Sequence, residues 1–318
     1  MEDDQVAESG SYNSVAVLIP CYNEEQTVGK VVADYLRYLP GSRILVFDNN
    51  SSDGTVRRAR EAGATVVASH RQGKGHVVRH MFSEVEAEIY VMVDGDDTYP
   101  AEEAPRLVDE FLRVRADMVV GTRIEHPEVG AFRAFHRFGN HLVARLISML
   151  FGIQVTDVMS GYRVFSRDFV KAVPLFAKGF EIETEMTLQA AAKEFSIREI
   201  PVEYRARPKG SISKLNTYSD GFLVLKTILS IFKDYKPLVF FTFLSAFLGL
   251  LSLASGLGPV EDFVTTGLVP RFPRAILAAG LGILSALSLS VGVILETLVK
   301  FERESYQLWR RMAKWQKR

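Results

Sequence analysis

Over its first part the chain alternates short apolar runs with longer segments whose apolar residues recur at helical spacing. Val15 to Ile19, Arg43 to Phe47, Ala64 to Ala68, Ile89 to Val93 and Met118 to Gly121 have the length and composition of buried strands. Between them Glu24 to Leu36, Thr55 to Ala62, Gly75 to Glu86 and Ala101 to Val114 carry the helical period. The second of these is preceded by Ser51, Ser52 and Asp53, which suit a helix start. Such alternation predicts an α/β domain: a mostly parallel sheet, helices on both faces, right-handed crossovers.

The pattern changes near the end. Pro237 to Val260 and Ala275 to Leu295 hold no charged side chain, and each is long enough to cross a bilayer, which takes about 20 apolar residues in a helix. Apolar all round with Gly and Ser at intervals, they read as a two-helix transmembrane hairpin rather than as buried core helices. The connection between them carries only Arg271 and Arg274 as basic residues. Lys226, Lys233 and Lys236 precede the pair, and Lys300, Arg303, Arg310, Arg311, Lys314, Lys317 and Arg318 follow it. That asymmetry predicts an integral membrane protein with both termini on the cytoplasmic side. Just before the hairpin, Phe222, Leu225, Ile228, Leu229 and Phe232 fall on one face of a helix, as in an interfacial segment, and Phe132 to Phe151 is a second candidate for the membrane surface. The expected organisation is a lead over 1–13, an α/β domain over 14–215, an interfacial helix over 216–236, two spans over 237–298 and a basic tail over 299–318.

Composition narrows the classes. The 318 residues are 47% hydrophobic and carry a formal net charge of +0, which argues against a general nucleic-acid binder. The acidic, polar lead Met1 to Asn13 lacks the apolar core of a signal peptide and reads as flexible. A single cysteine, Cys21, rules out an internal disulfide framework and fits a reduced compartment.

In a sheet of this kind ligands bind outside the carboxyl ends of the strands. The unusual polar residues fall there: Pro20-Cys21-Tyr22-Asn23-Glu24 after the first strand, Asp48-Asn49-Asn50 after the second, Asp94-Gly95-Asp96 after the fourth. Carboxylates as close as Asp94, Asp96 and Asp97 repel one another unless a cation lies between them. A divalent metal bound to a phosphorylated ligand would meet that need, because Mg²⁺ is usually held by one or two carboxylates plus substrate phosphates. Asn23, Asn50 and Asp53 fit turn or cap roles equally well.

These residues carry a resemblance. Pro20-Cys21-Tyr22-Asn23-Glu24-Glu25, Asp48-Asn49-Asn50-Ser51-Ser52-Asp53-Gly54-Thr55 and Asp94-Gly95-Asp96 resemble the glycosyltransferase family 2 catalytic domain, of the Rossmann-like GT-A fold, over about Val15 to Leu215. Ser160-Gly161-Tyr162-Arg163, Gly210-Ser211-Ile212-Ser213-Lys214-Leu215 and the hairpin are similar to the polyprenyl-phosphate branch, which includes dolichol-phosphate mannose synthase. The resemblance implies transfer of a hexose from a nucleotide diphosphate sugar to polyprenyl or dolichyl phosphate, with Mg²⁺ or Mn²⁺. It places Pro20, Tyr22 and Glu24 at the nucleotide, Asp48 at its base and Asp94 and Asp96 at the metal. Arg123 and Arg137 match residues that hold the lipid phosphate, and Ser213 and Lys214 match the segment over the donor diphosphate. Asn49-Asn50 and Asp97-Thr98-Tyr99-Pro100 depart from the common pattern, and they incline the expectation to UDP-glucose or UDP-N-acetylglucosamine over GDP-mannose.

The chemistry needs few parts. Charge developing on the leaving diphosphate is stabilised by metal and by a cation such as Lys214, and the loop Arg205 to Ser213, with Arg207 and Lys209, is placed to fold over the donor. A phosphate monoester has its second pKa near about 6, so the acceptor is already anionic and no general base is required. Single displacement inverts the anomeric centre. Arg123, Arg133, Arg137, Arg145 and Arg163 are available for the acceptor phosphate, since Arg grips phosphate oxygens in bidentate fashion. Glu181, Glu183 and Glu185 open a predicted helix and read as capping carboxylates before they read as bases, and Asp157 as a cap or an acceptor-site residue. Gln307-Leu308-Trp309-Arg310-Arg311 only approaches the motif of processive polysaccharide synthases. The rival reading from another class is a catalytically inactive membrane scaffold or nucleotide-sugar sensor; a homo-oligomer is left open.

Overall fold

The computed structural model of the chain describes residues 12–124, 131–179, 181–207, 226, 229–231 and 233–316. Two compact units divide it, residues 1–221 and residues 222–318.

In the first unit strands β1 (Val15–Cys21), β2 (Arg43–Asp48), β3 (Thr65–Ala68), β4 (Ile89–Met92), β5 (Met118–Ile124), β6 (Arg163–Ser166) and β7 (Ile197–Glu203) form one sheet, ordered β3-β2-β1-β4-β6-β5-β7. Helices α1 (Val28–Tyr38), α2 (Thr55–Glu61), α3 (Lys74–Glu84) and α4 (Ala104–Val114) are the crossovers of the first half, α4 entered through a 3₁₀ turn over Ala101–Glu103. They agree with the periodicity to within a few residues, the largest shift being at α1, where Thr27 rather than Glu24 opens the helix. Later in the chain come α5 (Ala131–Phe151), α6 (Arg167–Ala172) and α7 (Ile182–Ala192).

Why β1 is apolar at successive positions follows from its place in the middle. Val15, Val17 and Ile19 pack with Val28, Val31 and Tyr35 of α1 and Leu107, Val108 and Phe111 of α4. Ala16 and Leu18 on the opposite face are as completely buried, as strands covered on both faces require. The register sets Cys21 beside Asp48 and Leu18 beside Met92. The ends of β1, β2 and β4 therefore open on one crevice.

The sheet is parallel except at β6, which runs antiparallel to both β4 and β5. Its reversal brings the residues that precede β6, rather than those that follow it, to the crevice. The periodicity gave no sign of β6 or β7; β6 is four residues long and begins with a buried arginine.

In the second unit α8 (Pro237–Thr266) and α9 (Phe272–Gln316) are long and apolar enough to cross a membrane, with mean hydropathy 2.1 over each best window. Only 0% and 6% of those windows is buried, so neither is a core helix of a soluble fold. They pack as an antiparallel hairpin. The Ser245 and Ser285 hydroxyls lie 3.0 Å apart, and the Ser252 hydroxyl donates to the Ala278 carbonyl at 2.7 Å. Small residues let the backbones approach, since a Cβ on Gly292 would stand 2.8 Å from that of Phe241. Gly267, with φ of 73°, ends α8, and Arg271 pairs with Asp262 across the turn at 3.1 Å. Most of the expected interfacial stretch 216–236 lies outside the described residues.

Candidate active site

The loops after β1 and β2 are stitched to each other before any ligand is considered. Asn23, left-handed at φ of 53°, donates its N–H to the Ser51 hydroxyl at 2.9 Å, and its side-chain oxygen accepts from the Ser52 N–H at 2.8 Å. Asp53 accepts from the Thr55 N–H and hydroxyl at the start of α2. Asn50, at φ of 62°, donates to the His70 carbonyl. All three hold loop shape, which is the turn and cap alternative. Asn49 is buried, and its amide donates to the Ser69 and Arg71 carbonyls while its oxygen accepts from the Gly73 N–H. The residue that departs from the family pattern thus orders the loop leading into α3.

The residues expected at the nucleotide, Pro20, Tyr22, Glu24 and Asp48, stand at or just past the carboxyl ends of β1 and β2. Tyr22 is exposed and Glu24 nearly buried. Asp48 is buried; its Oδ2 accepts from the Ser51 N–H at 3.2 Å, and its Oδ1 has no hydrogen-bond partner among the described residues. A buried carboxylate oxygen left unpaired is costly unless a ligand donor reaches it.

Past β4, Asp94 and Asp96 each face a cation. Lys74 Nζ, at the first position of α3, lies 2.5 Å from Asp94 Oδ1 and 2.5 Å from Glu183 Oε1. Arg207 Nη2 lies 2.6 Å from Asp96 Oδ2. Asp96 also accepts from the Thr98 hydroxyl at 2.6 Å and the Thr98 N–H at 3.2 Å. Burial, with Asp94 close by, still raises the Asp96 carboxyl above the usual range, Arg207 and Thr98 offsetting part of that. Burial alone would lower the Lys74 ammonium, but its two carboxylates outweigh that and hold it charged. Glu183 is raised by burial, and its Oε2 has no hydrogen-bond partner among the described residues.

Asp94 and Asp96 are the residues that would hold a divalent ion. The donor set is hard oxygen, and the two cations already on it show that the pocket accepts positive charge at both carboxylates. Among the described residues no group of three His, Cys, Asp or Glu side chains could hold a metal.

The three glutamates that open α7 divide their work. Glu185 accepts the Phe176 and Ala177 N–H groups and Glu181 those of Lys178 and Gly179, so both tie down one loop. That loop lies so close to α3 that a Cβ on Gly75 would stand 2.2 Å from the Ala177 carbonyl oxygen. Only Glu183 turns inward. Lys74 was missed by sequence reasoning; the signal was a lysine between two glycines at a helix start.

On the other side of β4, Arg123 gives one guanidinium edge to Asp157, Nε to Oδ2 at 2.8 Å and Nη2 to Oδ1 at 2.9 Å, and stacks on Tyr204 with 5.6 Å to the ring centroid. Asn140 adds a bond to Asp157 at 3.2 Å. Burial would raise the Asp157 carboxyl, but Arg123 outweighs it and holds the carboxyl below the ordinary range. Arg163, weighed above for the acceptor, is fully buried and bonds the Ser160 and Val158 carbonyls and the Thr187 hydroxyl. It braces the turn before β6 and does not face the crevice as a phosphate ligand. Gly161 in that turn packs against Asp94, and Tyr99 accepts its N–H at 3.1 Å. Arg145 is exposed. Ser213, Lys214, Lys209 and the side chains of Arg133 and Arg137 lie outside the described residues.

The sequence model described as "Glycosyl transferase family 2" matches residues 16–173. "Glycosyltransferase AglJ" of Haloferax volcanii is 32% identical over 92% of this chain and 96% of its own length. "Dolichyl-phosphate hexose transferase" of the same organism is 31% identical over 70% of this chain and 95% of its own. "Polyprenol monophosphomannose synthase" of Mycolicibacterium smegmatis is 27% identical over 63% of this chain and 80% of its own. Among solved structures, glucosyl-3-phosphoglycerate synthase from Mycobacterium tuberculosis, in complex with Mn²⁺, UDP and phosphoglyceric acid, superposes with a TM-score of 0.57. The match covers 71% of this chain and 84% of that one at 22% identity, and shows the shared fold.

Proposed function

The chain belongs to glycosyltransferase family 2, and from that premise we propose that it transfers a hexose, with inversion, from a nucleotide diphosphate sugar to a polyprenyl or dolichyl phosphate at the cytoplasmic face of a membrane. One observation carries the donor half: Asp94 and Asp96 stand just past the carboxyl end of the central strand β4 with Lys74 and Arg207 seated on them. The acceptor half is supported by the two apolar helices and by the names of the relatives.

In this reading Asp48 Oδ1 meets a donor N–H of the nucleotide base, while Asp94 and Asp96 hold Mg²⁺ or Mn²⁺ against the diphosphate. The ion, once bound, would offset charge on the departing diphosphate. Lys74 and Arg207 supply positive charge at the same place from the protein itself. The acceptor phosphate brings its own anionic oxygen, so the chain's task is alignment and the neutralisation of two anionic substrates. Arg123 is oriented for that by Asp157 and Tyr204. Arg137, Ser213 and Lys214 retain the roles that the resemblance implies.

The departures at Asn49-Asn50 and Asp97-Thr98 favour UDP-glucose or UDP-N-acetylglucosamine, and the mycobacterial relative's name keeps GDP-mannose as the second reading. The test is mass spectrometry of polyprenyl phosphate incubated with the purified protein, Mn²⁺ and each donor in turn, beside Asp96→Ala. A gain on the lipid of one sugar residue from the donor supplied, absent with Asp96→Ala, supports the reading and names the sugar. No gain with any donor, despite nucleotide binding, favours the scaffold or sensor.

A further inference from the structure

Resting on that reading of the acidic pair, we propose that Lys74 is an exchangeable counter-ion: it occupies Asp94 until the donor arrives with its metal, then withdraws to Glu183 and the donor diphosphate, so that metal capture depends on nucleotide.

The argument is one of charge and of a second seat. Lys74 Nζ shares its 2.5 Å contacts equally between Asp94 Oδ1 and Glu183 Oε1. A metal on Asp94 would approach the same carboxylate to about 2.0–2.1 Å. Among the described residues, three carboxylates, Asp94, Asp96 and Glu183, face two cations, Lys74 and Arg207, a formal balance of minus one. A divalent ion alone would turn that to plus one, with three cationic centres crowded together in a buried site where repulsion is weakly screened. A diphosphate bringing roughly two negative charges restores the negative balance. Metal without donor is therefore disfavoured, and metal with donor is not.

Glu183 is what makes withdrawal feasible. It is buried, and its Oε2 has no hydrogen-bond partner among the described residues, so it can take a larger share of the ammonium without any charge leaving its ion pair. The surroundings hold Lys74 in reach of both seats. Gly75 accepts no side chain because the Ala177 carbonyl lies against it, its N–H donates to the Lys178 carbonyl, and the Glu185 and Glu181 ties fix that loop. Arg207, from the segment after β7, stands on Asp96 at 2.6 Å.

The experiment is Mn²⁺ binding by electron paramagnetic resonance on the full-length protein in detergent, with and without UDP or GDP, for the wild type, Lys74→Met, Lys74→Arg and Glu183→Gln. The wild type should bind Mn²⁺ at least about tenfold more tightly with the right nucleotide than without it. Lys74→Met should bind Mn²⁺ without nucleotide about tenfold more tightly than the wild type, with the nucleotide effect reduced to about threefold or less. Lys74→Arg keeps the charge and should retain the nucleotide effect. Glu183→Gln commits Lys74 to Asp94 and should weaken nucleotide-free binding, the opposite sign. Equal nucleotide-free affinities in wild type and folded Lys74→Met overturn the exchange while leaving the metal site standing. No Mn²⁺ binding by the wild type with either nucleotide overturns the metal reading itself, and the exchange with it.

Discussion

Around Asp94 and Asp96 two cations arrive from distant parts of the chain, Lys74 from the start of α3 and Arg207 from beyond β7, and Lys74 has Glu183 as a second seat. Arg123 instead lays a whole guanidinium edge along Asp157, stacked on Tyr204 and backed by Asn140. Among the described residues the first cluster sets three carboxylates against two cations, and burial raises Asp96 and Glu183. In the second the carboxyl is held low. On the proposed reading, charge at the first cluster redistributes when a ligand enters, whereas at the second Asp157 holds the Arg123 guanidinium in one orientation. Mutations in the first should therefore cost rate with little stability, and loss of Asp157 from the second should cost stability as well as rate.

The largest effect expected is from Asp96→Ala. Losing one ligand of the metal on the leaving diphosphate should lower kcat by about a thousandfold. Because a carboxyl raised by burial gives little to folding, the melting temperature should stay within a few degrees of the wild type. A loss of thermal stability comparable to that of the next variant would break the contrast between the two clusters.

Asp157→Ala comes next. It leaves the Arg123 guanidinium largely buried without its carboxylate, which costs about 3–5 kcal/mol when a buried pair loses one partner. Calorimetry or denaturant titration should show that loss. The pH dependence sharpens the point. Asp157 has its pKa depressed in the folded protein, so the stability it contributes is complete above the ordinary carboxylate value of about 3.9 and is lost as pH falls below it. Asp157→Asn should therefore flatten the acid limb of the stability curve. An unchanged acid limb would show that the pair contributes no net stability.

A smaller, rate-selective effect should follow from Gly161→Ala. The added Cβ would stand 2.5 Å from Asp94 Oδ2, and the carboxylate tip can swing aside at small cost to the fold. What it cannot do is keep its position as a metal ligand, so activity should fall by about tenfold or more with the melting temperature nearly unchanged. Unaltered activity would place Asp94 outside the reacting geometry.

How much of this was visible beforehand depends on where the partners lie. Pro20, Asp48, Asp94 and Asp96 could be placed together from sequence because a parallel sheet sends its strand ends to one edge, and polar residues interrupting apolar runs mark those ends. Glu183 and Arg163 were harder, since burial of a charge leaves no trace in local pattern. Glu183 is identified only by Lys74, which reaches it from another part of the chain, and Arg163 only by the carbonyls and hydroxyl around it. The reversed β6 hid for the same reason: with an arginine at its head it looks like a loop, although that arginine is among the most buried side chains. The apolar helices were legible at once because their signal is length and composition, which need no partner.

The smallest effect isolates a single hydroxyl. Thr98 holds Asp96 Oδ1 by its hydroxyl at 2.6 Å as well as by its N–H at 3.2 Å, so Thr98→Val removes one bond and keeps the other along with the shape of the side chain. A hydrogen bond to a charged group contributes about 1.5–3 kcal/mol at most, and a bound metal would take over part of that role. The Mn²⁺ concentration for half-maximal rate should rise about fivefold, with kcat at saturating metal close to wild type, and Thr98→Ser should restore the wild-type value. A fall in kcat at saturating Mn²⁺, with the metal dependence unmoved, would mean that Thr98 acts on the geometry of transfer rather than through Asp96. The division between a cluster that responds to ligand and a cluster that holds shape would then have to be drawn elsewhere.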